Sequence, residues 1–193
     1  MRICVYGASS PTIDPVFIRK TEEMGAELAR RGHSMVFGGG ANGLMGAAAR
    51  GVRSGGGHII GVIPKFFDKE KIEAVYGICD ETVMPDTMRQ RKQIMEEYAD
   101  AFVMTPGGIG TFEEFFEILT SKQLFRHNKP IAIFNIDNYF AQLLQMMDAG
   151  VEKNFIRESV GELYFVTDDI NDLFTYLEAP IANTGNVHDY KEG

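Results

Sequence analysis

Short apolar runs alternate with helix-like segments along the chain, and this alternation constrains the fold more than any other feature of the sequence. Strands are predicted at Arg2–Tyr6, Ser34–Phe37, His58–Ile63, Thr82–Met84, Ala101–Thr105, Pro130–Asn135 and Leu163–Val166. Helices are predicted between them at Asp14–Arg31, Leu44–Arg53, Thr87–Tyr98, Thr111–Phe125, Asn138–Ala149 and Ile170–Leu177. Because such connections are right-handed crossovers, the pattern predicts an α/β fold, with a central parallel sheet flanked by helices on both faces.

Length and composition favour one globular domain. The chain has 193 residues, of which 45% are hydrophobic, an ordinary share for a protein with a full core. We expect a single domain over residues 1–180 and a loose polar tail over 181–193. Gly32 is expected to end the first helix, and residues 65–86 are predicted to be irregular.

The charge and the sparse cysteines exclude several classes of partner. A net charge of −8 disfavours non-specific binding to nucleic acid or to an anionic membrane, although a small phosphorylated ligand remains compatible. Cys4, Cys79 and the four histidines have no metal-ligand spacing, so neither a metal nor another cofactor is expected. The sequence has no signal-like segment and no 18-residue apolar stretch, and we therefore expect a cytoplasmic protein.

Two glycine-rich loops follow predicted strands and should lie at the ligand-binding edge of the sheet. In the loop Gly107-Gly108-Ile109-Gly110-Thr111, glycines permit positive φ and close approach of a ligand, and the next helix offers free N–H groups. This favours a phosphate site, although a tight turn without a ligand is the alternative. The other loop, Gly38–Gly46, has no Walker pattern and contains Gly40-x-x-Gly43-x-x-Gly46. A lone glycine pattern is weak evidence, and no acidic residue ends the next strand, so an NAD-dependent oxidoreductase is a weaker hypothesis.

Glu114 and Arg91 each allow a structural and a functional interpretation. Thr111-Phe112-Glu113-Glu114 has the form of a capping box, in which Glu114 would stabilise the start of a helix. The same carboxylate could instead reach the ribose of a bound nucleotide. Arg91 falls on the apolar stripe of its helix, where a charge needs either an ion-pair partner or an anionic ligand.

Together, the segments Met88-Arg89-Gln90-Arg91-Lys92 and Pro106–Glu114 resemble the paired signature M-x-x-R-K and P-G-G-x-G-T-x-x-E of the LONELY GUY (LOG) family. The likeness runs from the Tyr6–Ser10 segment to about Phe155. This resemblance implies a Rossmann-like three-layer sandwich, a homodimer, and cytokinin riboside 5′-monophosphate phosphoribohydrolase activity. It also implies that Arg91 and Glu114 are the catalytic pair. The substrate-binding residues that we expect are Gly39, Gly40, Met88, Lys92, Gly107, Gly108, Ile109, Gly110, Thr111, Phe112, Glu113 and Thr120. A further family glutamate would correspond to Glu70 or Glu73.

The expected reaction is hydrolysis of the N-glycosidic bond of a nucleoside 5′-monophosphate, which releases a free base and ribose 5-phosphate. Its transition state resembles an oxocarbenium ion, which the Glu114 carboxylate could stabilise while it activates water. The 107–111 loop would bind the 5′-phosphate. The substrate is expected to be a cytokinin riboside 5′-monophosphate, AMP, or both. A nucleotide-binding module without turnover is the main alternative.

Overall fold

A seven-stranded parallel sheet forms the centre of the molecule. The structure is a computed structural model that describes residues 1–70, 74–180 and 190. The strands lie in the order β4-β3-β2-β1-β5-β6-β7. Their bounds are β1 Arg2–Tyr6, β2 Ser34–Phe37, β3 Ile59–Val62, β4 Glu81–Val83, β5 Ala101–Met104, β6 Ile131–Phe134 and β7 Phe165–Thr167.

Helices connect the strands and cover both faces of the sheet. The α-helices are α1 Pro15–Arg30, α2 Gly43–Ser54, α3 Lys65–Glu70, α4 Met88–Tyr98, α5 Ile109–Gln123, α6 Ala141–Glu152 and α7 Ile170–Glu178. Short 3-10 helices occur at Ile136–Asn138 and Glu158–Leu163. None of the helices in the described ranges is long and apolar enough to cross a bilayer.

The core is divided by the sheet into two apolar layers, because successive strand residues point to opposite faces. On one face Ile3 and Val5 pack in the same cluster as Leu28 of α1, together with residues of α2 and α7. On the other face Cys4 packs in one cluster with Met95 of α4, together with residues of α5 and α6. This arrangement confirms the predicted α/β three-layer sandwich with a Rossmann-like parallel sheet.

Some predicted elements differ from those in the structure. The segment predicted as irregular contains the six-residue helix α3. Helix α6 begins at Ala141 and not at Asn138, because Asp137 and Asn138 have φ values of 51° and 55° and interrupt the helix. Gly32 ends α1 with a φ of 76°, as predicted.

Tyr190 lies in the segment that was expected to be a loose tail. Its side chain is buried, its carbonyl accepts a 2.7 Å hydrogen bond from Gln123 Nε2, and its ring contacts that of Phe125. The rest of 181–193 lies outside the described residues, and the loose tail stays a prediction there.

The position of β1 determines where a ligand can bind. This strand pairs with β2 on one side and β5 on the other. The chain therefore leaves the ends of β1 and β5 toward opposite faces of the sheet, and a crevice opens between the loops. The loop after β1 begins at Gly7, and the loop after β5 contains Pro106, Gly107 and Gly108.

Candidate active site

A cavity of about 340 Å³ occupies the crevice between the loops that follow β1 and β5. It brings together the two side chains predicted to be catalytic, Arg91 from α4 and Glu114 from α5. The full lining comprises Gly7, Ala8, Ser9, Ser10, Met45, Arg91, Gly108, Gly110, Thr111 and Glu114.

The start of α5 forms one wall of the cavity. The helix begins at Ile109, and its N-cap residue Gly108 has no side chain to bond to the first amides. These amides have no partner inside the helix and carry the positive end of its dipole. A Cβ added to Gly108 or Gly110 would meet no atom within 4 Å, so an anion has room to reach the backbone.

The glycines of this loop leave space for a ligand or a neighbouring side chain, and their backbone conformations are ordinary. None of Gly107, Gly108 and Gly110 uses the positive φ that glycine permits. At Gly107 a Cβ would overlap the buried side chain of Thr111, so the absence of a side chain lets the two residues pack closely.

Glu114 is not part of a capping box. Because α5 begins at Ile109, Thr111 is its third residue and Glu114 its sixth, so the capping interpretation of both residues is wrong. Glu114 lies in the second turn and lines the cavity. Burial raises its pKa from 4.5 to about 7, against the opposing attraction of the Arg91 cation. Both protonation states are therefore populated near neutral pH, as general acid–base chemistry requires.

Arg91 is buried and held by the backbone. Only 6% of its surface is exposed. Its Nε donates to the Val62 carbonyl at 3.2 Å and its Nη2 to the Gly38 carbonyl at 3.1 Å. The guanidinium also lies over the ring of Phe67 in α3, 5.3 Å from the centroid. No ion pair in the described part of the chain includes Arg91, so its charge is directed at the cavity without a paired carboxylate.

The Gly38–Gly46 loop contacts Arg91, which the sequence did not predict. A Cβ on Gly38 would overlap the Arg91 guanidinium, so any larger residue at this position would displace the Arg91 side chain. Gly39, with a φ of 85°, and Gly40 were predicted to bind substrate, but neither lines the described cavity. Gly39 accepts a 2.7 Å hydrogen bond from Tyr76, and Gly40 pairs with Val75, so both shape the loop.

Several other predicted substrate-binding residues lie outside this cavity. Lys92 forms ion pairs with Glu113 and Glu117. Phe112 packs against Phe140 with ring centroids 6.3 Å apart. Met88 is exposed at the first position of α4, and Ile109 is 83% exposed between two cavity glycines.

Thr120 is also separated from the pair Arg91 and Glu114. It lies nine residues beyond Thr111 on α5, and it lines a different depression of about 700 Å³ together with Phe155 and Tyr190. Glu73 lies outside the described residues, as does the side chain of Glu70, and their correspondence to the family glutamate stays a prediction.

Ser9 and Ser10 line the cavity but received no role from the sequence. The signal was present, since both follow Gly7 in the loop after β1, where ligands bind in folds of this kind. Among the described residues, no group of three histidine, cysteine, aspartate or glutamate side chains could hold a metal ion.

Comparison with known proteins identifies the family. Residues 45–177 match the model of a protein family described as "possible lysine decarboxylase". The chain is 37% identical over 180 residues to "probable cytokinin riboside 5′-monophosphate phosphoribohydrolase LOG4" of Oryza sativa subsp. japonica, with 93% of this chain and 77% of the relative covered. It is also 37% identical over 182 residues to cytokinin riboside 5′-monophosphate phosphoribohydrolase LOG7 of Arabidopsis thaliana, with 92% and 81% covered. The chain belongs to the LOG family.

Solved structures support the fold of this LOG-family chain. The protein TM1055 superimposes with a TM-score of 0.70 at 22% identity, covering 92% of this chain and 98% of that protein. The molybdenum cofactor carrier protein MCP of Chlamydomonas reinhardtii gives 0.67 at 21% identity, covering 90% and 93%. At these identities the likeness concerns the fold alone.

Proposed function

We propose that this LOG-family protein hydrolyses the N-glycosidic bond of a nucleoside 5′-monophosphate to a free base and ribose 5-phosphate. One observation carries the proposal: the carboxylate of Glu114, with its raised pKa, shares a cavity with Arg91 and with the open N-terminus of α5. The names of the rice and Arabidopsis relatives give an activity of this kind and support a cytokinin riboside 5′-monophosphate as substrate. AMP is included in the proposal because it carries the same ribose 5′-phosphate.

The cavity accommodates the substrate in one orientation. The 5′-phosphate accepts hydrogen bonds from the first amides of α5 around Gly108 and Gly110, which face open space. Glu114 lies four residues beyond Gly110, which is about 6 Å along the helix. A ribose anchored by its phosphate therefore reaches the carboxylate with its anomeric carbon.

The reaction then follows from these two groups. The bond between the anomeric carbon and the base nitrogen breaks as the oxygen of water adds to that carbon. The proton that this water loses to Glu114 is passed on to the departing base nitrogen, which restores the ionised carboxylate. Ionised Glu114 stabilises the positive charge that develops on the ribose and accepts a proton from the attacking water. Arg91, fixed by Gly38 and Val62, favours the ionised form of Glu114 and donates hydrogen bonds to ribose hydroxyls.

A homodimer is part of the same proposal. Large apolar side chains are exposed beside the cavity and in the Thr120 depression, namely Ile109 at 83% and Phe155 at 85%. Met84, which follows the edge strand β4, is 53% exposed. A second copy of the chain would cover such side chains. This arrangement would also account for Thr120, which we propose to act near an interface and not in the cavity of its own chain.

We further propose that residues 1–180 act as one domain in the cytoplasm. All seven strands belong to one sheet. The described cysteines, Cys4 and Cys79, are both free, as is typical of a reducing compartment.

The experiment that tests the activity is identification of the products. Purified protein is incubated with AMP and with an N6-substituted AMP, and the mixture is separated by chromatography. Free base and ribose 5-phosphate in equal amounts are expected. Nucleoside and inorganic phosphate would instead indicate a phosphatase, and saturable nucleotide binding without products would indicate a binding module. Either result would overturn the proposal.

A further inference from the structure

Lys92 and Glu113 stand next to the proposed catalytic residues in sequence, yet neither lines the cavity in the described structure. Arg91 precedes Lys92 in α4, and Glu114 follows Glu113 in α5. We infer that Lys92 is a positioning residue, which joins α4 to α5 through Glu113 and Glu117 and thereby holds Arg91 and Glu114 against the same cavity. This inference rests on the proposed function.

The contacts that join the two helices are direct. Lys92 Nζ lies 2.7 Å from Glu117 Oε2 and is also paired with Glu113 Oε1. Glu113 and Glu117 are one turn apart and therefore lie on the same face of α5. The lysine side chain is 23% exposed, so the bridge is partly shielded from water, and an ammonium shared by two carboxylates couples the helices better than one exposed pair.

Lys92, Glu113 and Glu117 form a charged cluster, and its total charge argues against a phosphate-binding role for Lys92. Two carboxylates surround one ammonium, so the cluster is negative in total. Its hydrogen bonds to Glu113 and Glu117 raise the pKa of Lys92 and keep it protonated. A phosphate would have to displace those carboxylates, whereas the amides around Gly108 and Gly110 are open.

The cluster also sets the electrostatic environment of Glu114. Four charged side chains act on this carboxyl: Arg91 and Lys92 from α4 lower its pKa, and Glu113 and Glu117 of its own helix raise it. Cys4 and Tyr6 from β1 also interact with Glu114, but their own pKa values are raised, so both stay neutral near pH 7. Removing the lysine charge must therefore shift the titration of Glu114 upward, and removing the Glu117 charge must shift it downward.

The test compares Lys92→Gln, Glu117→Gln and a control, Arg50→Gln. Arg50 pairs with Glu22 between α2 and α1, on the opposite face of the sheet. Lys92→Gln and Glu117→Gln should each lower kcat roughly tenfold, because Arg91 and Glu114 are then less well oriented. KM should change by less than about twofold. The Arg50 variant should keep the kcat, the KM and the pH profile of the wild type.

The titration of Glu114, followed by NMR of its carboxyl carbon without substrate, is the decisive measurement. Its pKa should rise by roughly half a unit or more in Lys92→Gln and fall in Glu117→Gln. This measurement does not depend on turnover, so it separates failure of the inference from failure of the proposed function. Unchanged titration in both variants would overturn the inference. A large rise in KM for AMP in Lys92→Gln with kcat retained would also overturn it and make Lys92 a phosphate ligand.

Discussion

Among single residues, Glu114 and its protonation are central to the proposed chemistry. A carboxyl with an ordinary pKa is ionised at neutral pH but is a weak base. Partial burial in the second turn of α5 raises the pKa of Glu114 to about 7, and the nearby Arg91 keeps the ionised form accessible. The environment of this residue therefore matches a general base that works near neutrality.

Replacing Glu114 by glutamine separates catalysis from stability. Glu114→Gln should reduce kcat by roughly 10²-fold or more, because glutamine neither carries the charge nor accepts the proton. The wild-type rate should increase with pH through about 7, as Glu114 ionises. Binding of nucleotide should persist, because the α5 amides are unchanged.

Glu114→Gln should also change how the free energy of unfolding depends on pH. Between its ordinary pKa of 4.5 and its folded value of about 7, Glu114 binds more protons in the folded than in the unfolded state. Its contribution to the free energy of unfolding therefore falls as pH rises through this window. Thermal unfolding at pH 8 should show Glu114→Gln at least as stable as the wild type. If Glu114→Gln kept most of the wild-type activity, or were markedly less stable than the wild type at pH 8, the role of Glu114 would be structural.

Replacement of Arg91 tests whether its guanidinium is required or only its positive charge. Arg91→Lys keeps the charge, but an ammonium cannot reproduce the planar set of donors that reaches both Val62 and Gly38. We expect kcat to fall by roughly 10²-fold, measured beside the unfolding temperature. The exposed Glu97→Gln on the same helix is the control. Near-wild-type turnover by Arg91→Lys would show that a positive charge alone suffices.

At the scale of elements, the start of α5 forms the proposed phosphate site. Gly110 is the second residue of this helix, where alanine would fit without a contact within 4 Å. Alanine favours a helix over glycine by up to about 1 kcal/mol, so Gly110→Ala should unfold at the same or a higher temperature. The new methyl group fills the approach to the amides, and KM for AMP should increase by roughly tenfold or more.

A matched control for this variant is Gly161→Ala, since Gly161 also has open space around it but lies outside the cavity. Its KM should equal that of the wild type. If Gly110→Ala retains the wild-type KM, the phosphate does not bind at the start of α5.

The order of elements was predictable from the sequence, and the differences have physical reasons. β1 and β2 have the predicted bounds, because buried parallel strands are continuous apolar runs between clear breaks. Helix α3 was missed because six residues are too few to show a helical period. The start of α5 was placed two residues late, at Thr111, because Gly110 is a poor helix former.

The part of the candidate site that lies in the two signature motifs was predictable from the sequence. Arg91 and Glu114 were identified, and the structure brings them to one cavity. The pairing of Lys92 with α5 was not predictable, because it depends on how two helices pack. The same holds for Gly38, whose importance appears only when the Arg91 side chain is placed against it.

For the whole molecule, the proposed assembly is a homodimer of two-fold symmetry. Methionine is common both in cores and on adaptable apolar interfaces, and the structure shows both positions: Met95 is in the core, whereas Met84 and Met88 are exposed. We expect light scattering to give the mass of a dimer at micromolar concentration. Phe155 has an exposed apolar side chain, at 85%. Phe155→Ser should therefore shift the equilibrium between monomer and dimer toward the monomer. A stable wild-type monomer would contradict the proposed dimer.

In the proposed function, the 5′-phosphate positions the substrate by binding in the crevice between β1 and β5, at the open start of α5. The most direct measurement is therefore the ratio of kcat/KM for AMP to that for adenosine. Each charge-assisted hydrogen bond to the phosphate contributes about 1.5–3 kcal/mol, so losing several should lower the value for adenosine by at least roughly 10³-fold. Equal values for AMP and adenosine would contradict the account.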